Sequence, residues 1–386
     1  MDFEYTREQE EIRTAVRELC KQYPLTYWRE TDESRRYPSE FVKALTDAGW
    51  LGALIPEQFG GGGLGVLDGC LILEEINRSG GNAAACHAQM YIMGAVLRHG
   101  SEEQKQRYLP AIAQGELRLQ SFGVTEPDAG SDTTSISTFA TRKSGGYEVT
   151  GRKVFISRVQ HSDLLLLLAR TTPLDKVRRR TEGISMFLVD IREAGSTLTV
   201  NPIRTMVNHE TNELIFDKLW IPEENLVGEE GKGFRYILNG MNAERVLIAS
   251  EGLGDGHYFI DRASAYAKER VVFNRPIGQN QGIQFPLAKA YMALEAARAQ
   301  RDKAATKFDQ GTTSGHEANI AKYLCSEAAW EAANAAMNTF GGYGFAVEYD
   351  IERKFRESRL QLVAPVSNNL VMSYVAEHVL GLPRSY

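Results

Sequence analysis

The 386-residue chain reads as an α+β protein with three segments in the order α, β, α. Three observations predict this. Residues 1–117 and 233–386 carry apolar residues at a helical period of about 3.6. Residues 118–232 instead carry short β-branched and apolar runs divided by turns. Long alanine-rich stretches near the C-terminus hold few Gly or Pro, as tightly packed helices require. The expected architecture is an N-terminal α-helical domain, a middle antiparallel β-barrel or sandwich domain, and a C-terminal four-helix-bundle domain.

In the first segment Ile12, Ala15, Val16 and Leu19 form one apolar stripe, and Phe41, Leu45 and Leu51 carry the next element. Phe59-Gly60-Gly61-Gly62-Gly63-Leu64-Gly65 reads as a flexible turn; it lacks the Lys-Ser/Thr ending of a phosphate-cradling loop. Ser101-Glu102-Glu103-Gln104 is a capping box opening a helix. Near Arg118 the period changes. Strands are expected at 120–124, 147–150, 154–156, 164–169, 184–189, 198–200 and 214–221, and their spacing fits antiparallel pairing rather than βαβ units. Lys176-Val177-Arg178-Arg179-Arg180 falls in a loop, where a charge run is a solvated face or a phosphate contact. Helices return at 234–270, 281–309, 315–338, 348–360 and 367–380.

Bulk properties exclude several functions. A net charge of −6 argues against a nucleic-acid surface. The opening Met1-Asp2-Phe3-Glu4 is acidic, unlike a signal peptide, and no apolar run approaches the roughly 20 residues of a membrane span. Cys20, Cys70, Cys86 and Cys325 are far apart without a CxxC pair, as expected of reduced core thiols in a cytoplasmic protein. The seven histidines show no metal-ligand spacing, so no metal is expected.

GxSxG, HExxH and a strand-borne GxGxxG are all absent. Gly252-Leu253-Gly254-Asp255-Gly256 is glycine-dense but lies within a helical pattern. In the same helix, the positions three and four residues from Glu244 are Gly240, Met241, Leu247 and Ile248, so its helix supplies no basic partner. Such a carboxylate is either a stripe-edge acid pairing with another helix or a general base in an apolar site. The pattern alone leaves both open. Phe122 to Asp132 forms a polar loop leaving a strand, its Glu126 held extended by Pro127.

Four ordered motifs then carry a resemblance. Thr125-Glu126-Pro127-Asp128-Ala129-Gly130-Ser131-Asp132 matches TEPxAGSD, and Gly151-Arg152-Lys153-Val154-Phe155-Ile156-Ser157 approximates GxKxWIT. Glu269 to Gln281 matches ERxxFGxPI…Q with Asn274 for glycine. Asn338 to Glu357 matches QxxGGxGY/F…E…R…RD, with Asn338 for glutamine and Glu357 for aspartate. Over essentially its whole length the chain resembles the acyl-CoA dehydrogenase flavoproteins.

The resemblance implies a homotetramer with FAD between the middle domain, the C-terminal bundle and a neighbouring subunit. It implies that Val124, Thr125 and Ser131 contact the flavin or its pyrophosphate, Ser131 also meeting substrate. Phe155 would stack near the ring system where relatives have tryptophan, and Ser157 would replace a hydrogen-bonding threonine. Arg270, Phe273, Gln281, Asn338 and Gly342 match positions that reach the adjoining subunit's FAD, and Ser367 and Asn369 match further FAD contacts. Asn242 and Arg245 match positions that hold CoA, a task suited to a permanently charged guanidinium. The helix around His87, Gln89 and Tyr91 is expected to line the acyl pocket, with helix packing as the alternative.

One departure matters. Most relatives carry their base in Tyr-Glu-Gly-Thr, which here reads Ala364-Pro365-Val366-Ser367. Pro365 carries no proton. A minority, the isovaleryl-CoA and long-chain types, place the base directly before the motif arginine, at Glu244 here. The resemblance thus implies α,β-dehydrogenation of an acyl-CoA to the trans-2-enoyl-CoA, Glu244 as base, and an electron-transferring flavoprotein as acceptor. Glu251 is a rival base seven residues on. Alternative activities are those of relatives with changed chemistry: a crotonobetainyl-CoA-type reductase, a nitroalkane-oxidising enzyme or a thioester desulfinase. A non-catalytic flavin-binding partner protein is the third reading.

Overall fold

The structure is a computed structural model describing residues 4–312, 315–364 and 366–384. The vacated base position, Pro365, lies outside the described residues. In chain order the elements begin with α1 (Arg7–Cys20), α2 (Leu25–Glu33), α3 (Ser39–Asp47), α4 (Val66–Arg78), α5 (Ala84–His99) and α6 (Glu102–Ala113). Strands follow: β1 (Ser121–Gly123), β2 (Phe139–Lys143), β3 (Gly146–Ser157), β4 (Leu164–Arg170), β5 (Ile184–Asp190), β6 (Leu198–Pro202) and β7 (Thr211–Pro222). After α7 (Gly233–Glu269) come a small hairpin, β8 (Val271–Val272) and β9 (Arg275–Pro276), then α8 (Gln281–Asp309), α9 (Gly315–Phe340), α10 (Ile351–Leu360) and α11 (Asn368–His378). A helical N-terminal part, a middle sheet and a helical C-terminal part thus follow one another in chain order.

Internal packing divides the chain into two units. The first comprises Met1–Ser34, Gly65–Ala83 and Asn242–Tyr386; the second comprises Arg35–Leu64 and Ala84–Met241. The N-terminal helices are thus shared between them.

The second unit is built on a sheet in the order β1-β4-β2-β3-β7-β6, with β5 also on β4. Pairing is antiparallel except where β1 and β2 run parallel to β4. β4 shows why its sequence is one apolar run rather than an alternation. Leu164, Leu166 and Leu168 pack with Ile92, Val96, Leu109 and Ile112 of α5 and α6, whereas Leu165, Leu167 and Ala169 join Tyr147, Phe187 and Phe216. Both faces are buried, so no polar side is left. Two expected strands, 147–150 and 154–156, are one strand, β3, interrupted by register shifts at Val149/Gly151 and Lys153/Ile156. β2 escaped prediction because of its five residues only Ala140 is fully buried.

The Phe59–Gly65 run differs from expectation too: it is a built turn, not a flexible one. Gly62 N donates to Gly52 O and Leu64 N to Ala53 O, and a Cβ on Gly61 would stand 2.2 Å from Ile55 O. The Ser101/Gln104 capping box forms in both directions, and all four cysteines are buried free thiols.

The first unit is a helical bundle whose core is largely alanine, including Ala297, Ala328, Ala332, Ala333 and Ala336 with Leu253, Phe259 and Leu294. Small side chains let helices approach closely. The dense glycines of α7 extend this: a Cβ on Gly254 would stand 2.4 Å from Glu74 O in α4, and one on Gly256 2.3 Å from Leu294 Cδ2 in α8. One buried cation ties the same helices together. Arg301 of α8 donates to Glu74 Oε2 and to Ser250 Oγ of α7, each at 2.7 Å.

Candidate active site

In the second unit the candidate residues gather where β3 leaves regular pairing. Pro127 and Asp128 occupy the corner of a turn closed by reciprocal 3.1 Å bonds between Glu126 and Ala129. The turn is anchored from beneath. Lys153, wholly buried, donates to Glu126 Oε1 and Val124 O at 2.8 Å each, while Val154 N reaches Thr125 O at 2.9 Å. Glu126 also accepts from Ser137 N and Oγ and from Thr138 N. Burial alone would raise its pKa, but the Lys153 ammonium and these donors outweigh it and hold it down to about 2.

The irregularity of β3 re-aims Phe155. Its φ is +59°, disfavoured for a bulky side chain, and its ring is 64% exposed. Two residues on, Ser157 Oγ accepts from Asn208 Nδ2 at 2.7 Å. Val124 and Thr125 are half-buried and Ser131 is exposed. These five candidates therefore sit on one anchored loop and the irregular strand that anchors it. The basic loop meets the same segment: Arg180 donates to Asp132 Oδ2 at 3.0 Å.

In the first unit Arg270 and Gly342 share a cavity of about 700 Å³ with Tyr266, Asn280, Phe340 and Tyr343. Arg270 stands over the Tyr343 ring at 5.6 Å, and Tyr266 stacks on Phe340 at 4.2 Å. Nothing lies within 4 Å of where a Cβ on Gly341 or Gly342 would stand. Aromatic walls, one cation and bare glycine backbone suit a planar heterocycle attached to phosphate. Gln281 and Asn338 are exposed neighbours of lining residues. Phe273 is 94% exposed at the tip of the β8–β9 hairpin, where φ is +52° and that of Asn274 +62°. A two-residue turn with both φ positive favours glycine or asparagine, which accounts for Asn274 at the family's glycine.

On α7, Glu244 is 4% exposed and Arg245 is also buried. The Glu244 carboxylate is thus shielded from solvent. Arg245 Nη1 donates to Asn242 Oδ1 at 2.9 Å, and its Nε is buried without a partner among the described residues. Burial lowers the Arg245 pKa, opposed by the Glu244 carboxylate. Glu251, also buried, lies about 10 Å further along the helix axis. Ser367 caps α11, its Oγ accepting from Leu370 N, and Asn369 is exposed in the first turn. His87, Gln89 and Tyr91 lie on α5 of the second unit, where His87 and Tyr91 rings are 5.1 Å apart.

Three family models match in chain order: the acyl-CoA dehydrogenase N-terminal domain over residues 6–116, the middle domain over 121–219 and the C-terminal domain over 231–380. The chain belongs to the acyl-CoA dehydrogenase family. It is 32% identical to acyl-CoA dehydrogenase FadE12 of Mycobacterium tuberculosis over 384 residues, 99% of this chain and 98% of that one. It is 32% identical to the 3-(aryl)acrylate reductase of Clostridium sporogenes over 379 residues, 97% and 99% of the two chains. Its fold superposes on glutaryl-coenzyme A dehydrogenase in a glutaryl-CoA complex with a TM-score of 0.93 at 30% identity, covering 100% of this chain and 98% of that one.

Acyl-CoA dehydrogenases are oxidoreductases that bind FAD. The aromatic, arginine-lined cavity and the anchored 124–132 loop suit that cofactor chemically. Among the described residues no group of three or more His, Cys, Asp or Glu could hold a metal, and no helix is long and apolar enough to cross a membrane. Sequence reasoning missed the Lys153–Glu126 anchor, although both residues stand inside quoted motifs, and it missed Lys322 and Asn368, which carry no local signature.

Proposed function

We propose that this acyl-CoA dehydrogenase removes hydrogen across Cα–Cβ of an acyl-CoA, giving the trans-2-enoyl-CoA, with Glu244 as the base. The burial of Glu244 carries this reading. A carboxylate shielded from water and within reach of the α-carbon takes its proton more readily than a solvated one. FAD, when bound, supplies the acceptor for the hydride leaving Cβ. Arg245 and Asn242 hold the CoA side of the thioester, their mutual bond fixing the guanidinium. The 124–132 loop with Phe155 and Ser157 holds the cofactor, and Ser367 and Asn369 are cofactor contacts on this reading. Arg270, Phe273, Gln281, Asn338 and Gly342 reach the cofactor of a neighbouring copy in a homotetramer, and an electron-transferring flavoprotein takes the electrons onward. Glu251 is too distant along the helix to serve the same carbon.

A second reading has its own support. The similar Clostridium sporogenes protein is an acrylate reductase by name. In that direction the same carboxyl group would deliver a proton to Cα. Anaerobic mixing with a panel of saturated acyl-CoA thioesters separates the two. Loss of flavin absorbance with a saturated thioester supports dehydrogenation. No loss with any of them, combined with reoxidation of the reduced protein by an enoyl substrate, supports reduction.

A further inference from the structure

Behind the turn leading into α11 lies a buried cation that the proposed chemistry does not use. Lys322 of α9 is wholly buried, and among the described residues its ammonium has one hydrogen-bond partner, Asn368 Oδ1 at 2.6 Å. Asn368 is the first residue of α11. Its amide nitrogen donates to Ser326 Oγ at 3.1 Å and Glu327 Oε1 at 2.7 Å, and its backbone N–H to Leu362 O at 3.1 Å. The turn so held is under strain: Val366 has φ +59°, a region that β-branched residues avoid unless their surroundings enforce it.

Packing alone would place a methionine or leucine at position 322, because burying an ammonium against a neutral amide is costly. What the charge contributes is direction: a charge-assisted bond is shorter and stronger than a neutral one. We infer that Lys322 is a positioning residue for the cofactor, its ammonium locking Asn368 so that the strained turn presents Ser367 and Asn369 to FAD. This rests on the reading that Ser367 and Asn369 meet the cofactor. The charged groups acting on Lys322 are Glu327 of its own helix and Arg245 of α7; α11 offers it the Asn368 amide. Burial, opposed by Glu327 and reinforced by Arg245, pushes the Lys322 pKa down to about 8. The lock therefore weakens as pH rises through that value.

The test is an FAD titration of the full-length apoprotein by flavin fluorescence from pH 6.5 to 9.5. Wild type should lose affinity about tenfold as pH rises through about 8. Lys322→Met should bind FAD about tenfold more weakly at pH 7 and show no such alkaline fall. Asn368→Leu breaks the lock from the other side and carries the test should Lys322→Met not fold. Combining the two should weaken binding no further than either alone. Lys322→Met affinity within twofold of wild type at every pH, or fully additive losses in the double variant, overturns the inference. The contact reading is checked separately: Ser367→Ala/Asn369→Ala with unchanged affinity sinks that reading, and the lock with it. Lys322→Met unchanged while Ser367→Ala/Asn369→Ala is impaired sinks the lock alone.

Discussion

Glu126 illustrates what a single side chain does here that its local sequence conceals. A glutamate before proline in a polar loop reads as a turn residue, yet its carboxylate is buried against Lys153 and fixes the loop proposed to hold the cofactor. The partner lies 27 residues away in β3, beyond the range of any local pattern. Lys153→Met removes one member of a buried pair and should destabilise the fold by about 3–5 kcal/mol in denaturant melts, by leaving the other charge uncompensated. The pH dependence has a definite sign. The pKa of Glu126 is depressed from its ordinary 4.5 to about 2, so its contribution is complete above 4.5 and is lost as pH falls through about 2. Thermal melts should decline across that window in wild type and decline less in Glu126→Gln. By contrast Asn274 was legible as a departure, and its left-handed backbone supplies the reason.

At the scale of elements, periodicity located the long helices well: the expected 281–309 is α8 itself. It located them because most buried positions recur at helical spacing, as Leu287, Ala290, Leu294 and Ala297 do in α8. The sheet was harder. β3 contains register shifts that read as a gap between two strands, and the polar β2 lacks the apolar signal altogether. The glycines at 254 and 256 could be placed in a helix from sequence, but their purpose is tertiary, since the backbone of α4 and the Leu294 side chain of α8 come close to α7 where a Cβ would stand. Gly254→Ala places that atom against the α4 backbone, which cannot rotate away. It should destabilise by about 1–3 kcal/mol despite a gain in helix propensity, a net loss readable in urea melts. Gly256→Ala meets only the end of the Leu294 side chain and should cost less.

Across the whole molecule, the α-β-α order and the FAD-binding family were legible because motifs at ordered spacings survive where overall identity is near 30%. The sharing of the N-terminal helices between two packing units was not, because no local pattern records which distant segment a helix packs on. Phe273, Phe285, Met292 and Phe345 of the first unit are largely exposed apolar side chains. Such surface favours contact with another copy, and the proposed homotetramer should sediment at four times the 43.0 kDa chain mass. If the 270–281 segment reaches a neighbour's cofactor, Arg270→Ala should lower retained FAD while leaving the mass unchanged. Unaltered FAD content would remove Arg270 from the site.

The buried Glu244 carboxylate on α7 is proposed to do the work of a base whose usual position is occupied by proline. Rapid anaerobic mixing of wild type and Glu244→Gln with the best acyl-CoA of the panel tests it most directly, with flavin absorbance as the readout. Glu244→Gln should keep its FAD and its affinity for the thioester while the bleaching rate falls by about 10²–10⁴, the range spanned by general-base contributions. Bleaching at the wild-type rate in Glu244→Gln would contradict the account.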